Sequence, residues 1–361
     1  TLGGLVAGSL FVLPSAILLW LLSYLYVTLG EVPIVTAVFD GLKPAVLAIV
    51  AHAVVRIGKR ALRNPAMWTL AGLAFVAIFF GKAPFPVIIA AAAVIGFIGS
   101  RTRPQWFQVI KAYGAENSHV ASVLDDHHET PEHARFSWFR MLRTCGVSLV
   151  LWWTPVVIAG QMLGWQHALP REGLFFSKAA IVTFGGAYAV LPYVAQQAVE
   201  RYGWLSAPQM LDGLGLAEST PGPLIMVVQF VGFLGGWNHP GDLSPFAAAT
   251  LGALMTTWVT FIPCFLWIFL GAPYIESLRG RTHLSAALSC ITAAVVGVVL
   301  NLAVWFGLQL LFPPEHGFNL FAALVGVVSL FALVRFGCGV MWVVAFGVLC
   351  GIARYASFST L

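Results

Sequence analysis

The sequence predicts an all-α polytopic membrane protein of two homologous, inverted halves that contain broken or re-entrant helices. Of its 361 residues, 59% are hydrophobic and 9% are charged, and the mean hydropathy is +0.88. Soluble domains carry about 25% charged residues, so a soluble fold of this size could not bury so much apolar surface. The apolar runs have helical lengths, which excludes the short alternating segments of a β-barrel.

Nine uninterrupted spans and two broken segments follow from the apolar runs. The uninterrupted spans are Leu2–Leu29, Val35–Ile57, Ala66–Phe80, Pro84–Ile98, Cys145–Leu163, Leu243–Leu270, Leu284–Phe312, Phe318–Val334 and Phe336–Ile352. In the broken segments, Leu174–Val199 and Gln209–Trp237, glycine, proline and polar residues interrupt the apolar pattern. Such residues end or kink helices.

Positive charge predicts the orientation, because cytoplasmic loops are rich in Lys and Arg. An acid-free basic cluster ends the second span and comprises Arg56, Lys59, Arg60 and Arg63. Counting each segment as one crossing places Gly164–Glu172 outside, Glu200–Trp204 inside and Asn238–Asp242 outside. The net charge of +5 lies at the ends of apolar runs, which indicates membrane topology rather than a nucleic-acid partner.

The two halves are predicted from an internal repeat. Thr1–Pro14 matches Thr250–Pro263 without a gap, and residues 41–51 resemble residues 283–293. Weakly similar halves are typical of transporters, and the loop charges predict that these halves are inverted. On this basis residues 1–100 are the remainder of the first half, 101–144 a cytoplasmic polar linker, 145–172 a connecting transmembrane span and 173–361 the second half. We expect a counterpart of the broken segments upstream of Thr1, so that the chain is a fragment.

The first break carries candidate ligand-binding residues. Irregular backbone at membrane depth is tolerated where it lines a cavity, and half-helix N-termini present N–H groups to anions. Gly185 and Gly186 allow a ligand to approach the backbone, Thr183 and Tyr188 add hydroxyls, and Lys178 adds a positive charge. Close helix packing is the alternative for the glycines, and snorkelling of the amine to the interface is the alternative for Lys178.

The second break combines a carboxylate with residues that end a helix. Glu218 is followed by Ser219, Thr220, Pro221, Gly222 and Pro223. The hydroxyls and Gly222 are candidate substrate contacts, as is Gln229 in the next helix, whose alternative role is an interhelical hydrogen bond. Glu218, Pro221, Pro223 and Arg201 are candidate coupling or gating residues, with Glu218 as a proton carrier or a partner for Lys178 or Arg201. Helix capping is the alternative for Glu218.

The other polar residues have simpler interpretations. We interpret Asp212 as solvated at the inner end of its segment, Asp40 and Lys43 as interfacial anchors, and His52 as a packed core residue. The five cysteines lack a CxxC pair, and Asp125–Glu129 with His133 lacks a recognised metal-ligand spacing. The sequence therefore predicts no metal and no cofactor.

Several spaced motifs resemble the chromate ion transporter family. They are Phe175–Ala179, Thr183–Tyr188, Leu191-Pro192, Gly203-Trp204 and Glu218–Pro223, followed by Gln229. The resemblance implies a multi-pass protein of the bacterial inner membrane with two homologous halves. It also implies secondary transport of chromate, with antiporter-like efflux driven by the proton motive force that gives chromate resistance. Against the family pattern, we expect this chain to lack the N-terminal broken-helix module.

Alternative functions remain open at this point. Uptake or exchange of sulfate or another oxyanion would need the same site chemistry. A non-transporting membrane subunit is a further hypothesis. An enzyme is not expected, because no HExxH or GxSxG motif and no paired intramembrane aspartates are present. The expected partners are chromate or a sulfate-like oxyanion, protons as coupling ion, and the lipid bilayer. No nucleic acid is expected, and a homodimer is left open.

Overall fold

The computed structural model describes residues 2–107, 138–183, 186–271, 282–313 and 317–359, and the regular elements in these ranges are helices. In chain order they are α1 (Leu2–Leu29), α2 (Pro33–Ala61), α3 (Pro65–Phe79), α4 (Phe85–Thr102), α5 (Pro104–Phe107), α6 (Trp138–Leu163), α7 (Ala168–Val182), α8 (Ala187–Gln196), α9 (Ala207–Ser219), α10 (Val227–Asn238), α11 (Pro245–Gly271), α12 (Thr282–Leu311), α13 (Leu320–Phe331) and α14 (Val340–Ser359). One π-helical turn follows α8 (Gln197–Arg201), another follows α13 (Ala332–Phe336), and a 3₁₀ turn precedes α10 (Leu224–Met226).

Local sequence explains where several helices begin. Proline occupies the first turn of α2, α3 and α9, where a missing N–H costs nothing. The Asn64 side chain accepts a hydrogen bond from the Met67 N–H at 3.0 Å. Ser206 and Gln209 form a reciprocal capping box at the start of α9. These signals are legible in the sequence, and the predicted boundaries of most spans fall within a few residues of the observed ones.

The predicted all-α polytopic membrane fold is confirmed. Within the described residues, seven helices are long and apolar enough to cross a membrane, whereas α3, α10 and α13 are shorter apolar helices. The first helix matches its predicted span, Leu2–Leu29, and α6 begins at Trp138, seven residues before the predicted Cys145. The greater part of the predicted linker, together with Asp125–Glu129 and His133, lies outside the described residues.

Long helices of the two predicted halves pack on each other. Helix α2 packs against α13 and α14, and α12 packs against α3 and α4. Glycines permit the close approaches, because a Cβ on Gly41 of α2 would meet the backbone of α14, and one on Gly297 of α12 would meet the backbone of Ala71 in α3. Helices α2 and α12, which belong to the predicted repeat, also contact each other.

Each broken segment is a hairpin rather than a crossing. Phe175 of α7 lies 5.2 Å from Tyr193 of α8 and 5.7 Å from Trp204 beyond it, measured between ring centroids. In the second hairpin, Gly213 of α9 packs directly on the Phe230 ring of α10. We refer to α7–α8 as the first hairpin and to α9–α10 as the second hairpin.

Both hairpins start and end on one side of the molecule, which we name the base face (residues 164–167, 202–206 and 239–244). The Asn238 side chain donates to the Trp204 carbonyl at 2.8 Å. His239 Nε2 lies 3.0 Å from the Gly203 carbonyl, and His167 Nε2 lies 3.1 Å from the Pro240 carbonyl. The expectation that Glu200–Trp204 lies on the opposite side from its neighbouring loops is therefore wrong. Each broken segment had been counted as one crossing, and a hairpin returns to the side from which it starts.

Candidate functional site

The tip of the first hairpin requires glycine for its backbone conformation. Helix α7 ends at Val182, and Gly186 is the N-cap of α8 with φ 101° and ψ 175°. L side chains rarely adopt this region. A Cβ at Gly186 would meet no atom within 4 Å, so close helix packing does not explain the residue. Phe184 and the predicted site residue Gly185 lie outside the described residues.

The tip of the second hairpin breaks where the proline and glycine residues predict. Helix α9 ends at Ser219, Thr220 is extended, and Pro223 is the N-cap of the 3₁₀ turn that leads into α10. Gly222 has φ 140°, and a Cβ there would lie 2.5 Å from the Ser15 side chain of α1. Glycine at this position thus satisfies both a strained backbone and a close approach. Pro221 and Gly222 are exposed.

A hydrogen bond joins the two tips. The Tyr188 hydroxyl, in the first turn of α8, donates to Glu218 Oε1, near the end of α9. Both side chains are half-buried, and the positive charge of Arg56 from α2 acts on both of them. Two residues that the sequence analysis assigned to different roles therefore form one contact between the broken helices.

The predicted hydroxyl donors are engaged with their own helices. Thr183 donates to the Ala179 carbonyl at 2.6 Å, Ser219 to the Leu216 carbonyl at 2.9 Å and Thr220 to the Ala217 carbonyl at 3.1 Å. By contrast, the buried Ser15 hydroxyl, which faces Gly222, has no hydrogen-bond partner among the described residues. In this conformation the tips offer the first backbone N–H groups of the new helices to a ligand, and the Ser15 hydroxyl of α1 is buried beside the second tip.

Gln229 lies in α10 and joins three helices. Its Nε2 donates to the Ala16 carbonyl of α1 at 2.7 Å, and its Oε1 accepts a hydrogen bond from Thr257 of α11 at 3.1 Å. The residue is 3% exposed and borders a mainly apolar cavity of about 1020 Å³ between α1, α6 and α11. These contacts favour the alternative role of Gln229, an interhelical hydrogen bond.

The two predicted basic residues of the hairpins lie away from the tip contact. Lys178 is exposed on α7, five residues before Thr183. Arg201 is exposed at the base face, where it donates to Gln197 Oε1 at 3.3 Å and lies over the Tyr202 ring at 5.7 Å. Among the described residues, Glu218 accepts its hydrogen bond from Tyr188 instead of from Lys178 or Arg201.

A basic pocket of about 200 Å³ lies on α2 near the tips. It is lined by His52, Val55, Arg56, Lys59, Arg60 and Val334. From the sequence, Arg56 and its neighbours were interpreted only as a signal for the orientation in the membrane. The missed signal is their spacing, because positions 52, 56, 59 and 60 recur at i, i+4, i+7 and i+8 and share one helix face. Such a face attracts anions.

The sequence-based interpretation of two carboxylates is also wrong, because both side chains are buried. Glu172 was placed in an outside loop, but it lies in α7 with 0% exposure, against Gly235 and Gly252. Its carboxylate oxygens have no hydrogen-bond partner among the described residues. Asp212, expected to be solvated, is 3% exposed, and its Oδ2 accepts a hydrogen bond from Tyr26 at 2.9 Å. Both acids look like loop or interface residues in the sequence because they lie within a turn or two of a helix start.

Comparisons with known proteins agree with the motifs of the sequence. The family model described as Chromate transporter matches residues 1–97 and 172–352. The chain is 29% identical over 304 residues to the chromate transport protein of Pseudomonas aeruginosa, covering 82% of this chain and 62% of that protein. It is 26% identical over 298 residues to the chromate transport protein of Cupriavidus metallidurans, covering 82% of this chain and 63% of that protein.

A third relative matches over more of its length. The chain is 26% identical over 336 residues to a probable chromate transport protein of Synechococcus elongatus, covering 93% of this chain and 72% of that protein. No solved structure matches. The chain thus spans less than two thirds of the length of the first two relatives. Because the family model covers most of the chain, this multi-pass membrane protein belongs to the chromate transporter family.

Proposed function

We propose that the protein moves chromate, a tetrahedral dianion, across the bacterial inner membrane, and that the anion binds where the two hairpin tips meet. The observation that carries this proposal is the Tyr188–Glu218 contact between two broken helices, within reach of the charge of Arg56. The membership of the chain in a family whose relatives are named chromate transport proteins supports the choice of substrate.

The chemistry of the tips suits an oxyanion. Helix α8 begins at Ala187 after a glycine, so its first N–H groups and the positive end of its dipole are accessible without an intervening side chain. The basic pocket on α2 raises the local concentration of anions, because clustered positive charge steers them electrostatically. Backbone N–H donors and exposed Arg and Lys side chains would bind the oxyanion without enclosing it, which favours its release.

Glu218 supplies a means of coupling to protons. An ionised carboxylate beside the tips repels a dianion, whereas the protonated acid does not. Protonation would admit chromate, and loss of the proton would expel the dianion. One proton would then leave the cell with each dianion, so the net negative charge that moves outward lets the inside-negative membrane potential, the electrical part of the proton motive force, drive efflux and confer chromate resistance. The Tyr188 hydroxyl, which donates to Glu218, would turn toward the anion once the carboxyl carries its own proton.

Inverted halves would let the protein open to each side in turn. The packing of α2 on α13 and α14 mirrors that of α12 on α3 and α4, as a two-fold relation between the halves requires. Helices α1 and α11, paired in the sequence repeat, both contain an interior proline, at Pro14 and Pro263. These correspondences support an inverted repeat around the hairpins.

Radiolabelled chromate flux into everted membrane vesicles tests the proposal. We expect flux that depends on the membrane potential, which is positive inside everted vesicles, and that sulfate weakly inhibits. Arg56→Ala should raise the chromate concentration needed for half-maximal flux. Arg63→Ala removes an exposed arginine just beyond α2 that does not line the basic pocket, and it should behave as the unmodified protein.

Glu218→Gln tests the coupling. The variant should transport with a flatter pH profile than the unmodified protein, because the amide cannot exchange a proton. An unchanged pH profile would contradict the role of Glu218 but not chromate transport. Equal flux of sulfate and chromate would favour a general oxyanion exchanger, and absence of flux from folded, inserted protein would favour a non-transporting subunit.

A further inference from the structure

A polar cluster lies near the base face, where the second hairpin meets the first two helices. Asp212 of α9 is 3% exposed, and its Oδ2 accepts a hydrogen bond from the Tyr26 hydroxyl of α1 at 2.9 Å. The same oxygen lies 3.9 Å from Lys43 Nζ of α2. Lys43 in turn lies 3.1 Å from Asp40 Oδ1. The cluster thus links α1, α2 and the second hairpin.

The cluster is incompletely satisfied. Asp212 Oδ1 is buried and has no hydrogen-bond partner among the described residues. One lysine serves two carboxylates, of which Asp212 is buried and Asp40 is half-exposed, with side-chain exposures of 4% and 50%. Exposed ion pairs are weak, so Asp40 holds Lys43 only loosely. The charge state of the buried acid therefore decides whether Lys43 has a strong counter-ion.

The groups that act on Asp212 can be identified on each packed element. They are Tyr26 from α1, and Asp40 and Lys43 from α2. Helix α10 brings no titratable residue to α9. The described parts of α12 and α14, which also contact α9, carry the titratable residues His283, Cys290, Cys350, Arg354 and Tyr355. Asp212 and Glu218 lie on one helix, six residues or about 9 Å apart along its axis. Each accepts a hydrogen bond from a tyrosine and interacts with a basic residue of α2.

We propose that Lys43 is a second binding residue for a tetrahedral oxyanion, near the base face, and that Asp212 controls its availability. A proton from the aqueous phase neutralises Asp212, Lys43 loses its strong counter-ion, and the ammonium group binds the oxyanion. When Asp212 releases the proton to water, the carboxylate recaptures Lys43 and the oxyanion leaves. This inference rests on the proposed function, since it adds a second binding site for the anion that binds at the hairpin tips.

Equilibrium binding to the detergent-purified chain tests the inference. Radiolabelled sulfate is the probe because it keeps two negative charges from mildly acidic to mildly basic pH, and chromate binding is measured in parallel at one basic pH. For the wild type and for Glu218→Gln, which removes the titration of Glu218 at the tips, we expect about tenfold tighter sulfate binding at the acidic end, a modest fraction of the attraction between unit charges 4 Å apart near a protein surface.

Three variants separate the roles of the cluster. All three carry Glu218→Gln in addition, so that Glu218 adds no pH dependence at the tips. In this background Asp212→Asn should bind sulfate tightly at both ends of the pH range, and Lys43→Gln should bind weakly at both ends. Glu31→Gln is the matched control, because it removes an exposed carboxylate outside the cluster, and it should keep the pH dependence. If Asp212→Asn does not give a monodisperse protein, the comparison of Lys43→Gln with Glu31→Gln still decides the question.

The outcomes separate this inference from the proposed function. In the Glu218→Gln background, pH dependence retained in Asp212→Asn, or acidic-pH affinity retained in Lys43→Gln, overturns the role of the cluster while chromate binding at the tips stands. Absence of pH dependence in Glu218→Gln itself does the same. A wild-type protein that binds neither chromate nor sulfate overturns both the inference and the proposed function.

Discussion

The two hairpins each bury an acid near the base face, but they hold it in different ways. Glu172 of the first hairpin lies against Gly235 and Gly252 with no hydrogen-bond partner among the described residues. Asp212 of the second hairpin is bound by Tyr26 and lies near Lys43. The acid of the first hairpin is therefore packed against glycines of α10 and α11, whereas α9 of the second hairpin makes polar contacts to α1 and α2. Helix α10 of the second hairpin packs backbone to backbone on α11, since a Cβ on Gly232 or Gly236 would meet the α11 backbone.

This difference indicates which helix of the hairpins can move. Backbone packed on backbone, as between α10 and α11, has one well-defined arrangement, because interiors are dense and shape-specific. A polar cluster can instead change when a proton binds, since its contacts depend on charge. We therefore expect the first hairpin and α10 to act as a fixed wall of the site and α9 to respond to pH.

Disrupting the glycine packing should have the largest effect. Gly252→Val would place a Cβ against the Gly232 backbone carbonyl and 2.9 Å from Glu172 Oε2. Backbone cannot yield as a flexible side chain can, so we expect a cost of about 3 kcal/mol or more and little extractable folded protein. The measurement is the monodisperse yield in detergent. Gly72→Val is the control, because a Cβ there meets no atom within 4 Å, and equal losses in both variants would contradict the packing role.

Replacing the two buried acids by leucine should change the stability less than Gly252→Val does, and the change should differ between the two hairpins. Asp212→Leu leaves Tyr26 and Lys43 without their buried partner and should lower the stability by about 1–3 kcal/mol. Glu172→Leu removes a buried carboxyl that has no partner among the described residues, so its stability should be unchanged or higher. Thermal unfolding of the two variants in one detergent makes the comparison. Equal destabilisation would show that Glu172 has a stabilising contact after all.

Loosening the link between α1 and α10 should have the smallest effect. Gln229→Leu removes two hydrogen bonds, to Ala16 and from Thr257, and Thr257→Val removes only the second. Interhelical hydrogen bonds in membranes average about 0.6 kcal/mol, so we expect about 1 kcal/mol for Gln229→Leu and about half of it for Thr257→Val. Thermal unfolding checks the ratio. A loss of chromate flux at unchanged stability would instead assign Gln229 to substrate binding.

Much of the fold could be predicted from short-range patterns. Apolar runs predicted the helices, and Thr220-Pro-Gly-Pro223 predicted the break between Ser219 and Leu224. Helix formation and interruption depend on neighbouring residues, which the sequence displays directly. The motif residues from Phe175 to Gln229 also identified the family, as the comparison with the family model confirms.

The pairing of the site residues could not be predicted. Tyr188 and Glu218 are 30 residues apart, and Tyr26 and Asp212 are 186 residues apart. Neither the spacing nor the residue types indicate that these side chains meet. The cluster on α2 is a different case, because the recurrence of His52, Arg56, Lys59 and Arg60 on one face was visible and was read as topology alone.

The sequence by itself determined that this is a helical membrane protein, where its helices break and which family it belongs to. Only the tertiary structure decided that the broken segments are hairpins with a common base face, that Tyr188 meets Glu218, and that Asp212 and Glu172 are buried. The reason is physical: a helix of 10 to 15 residues has the same composition whether its chain continues across the bilayer or turns back. Contacts such as Phe175 with Tyr193 and Trp204 select the hairpin, and they form only when distant segments pack together.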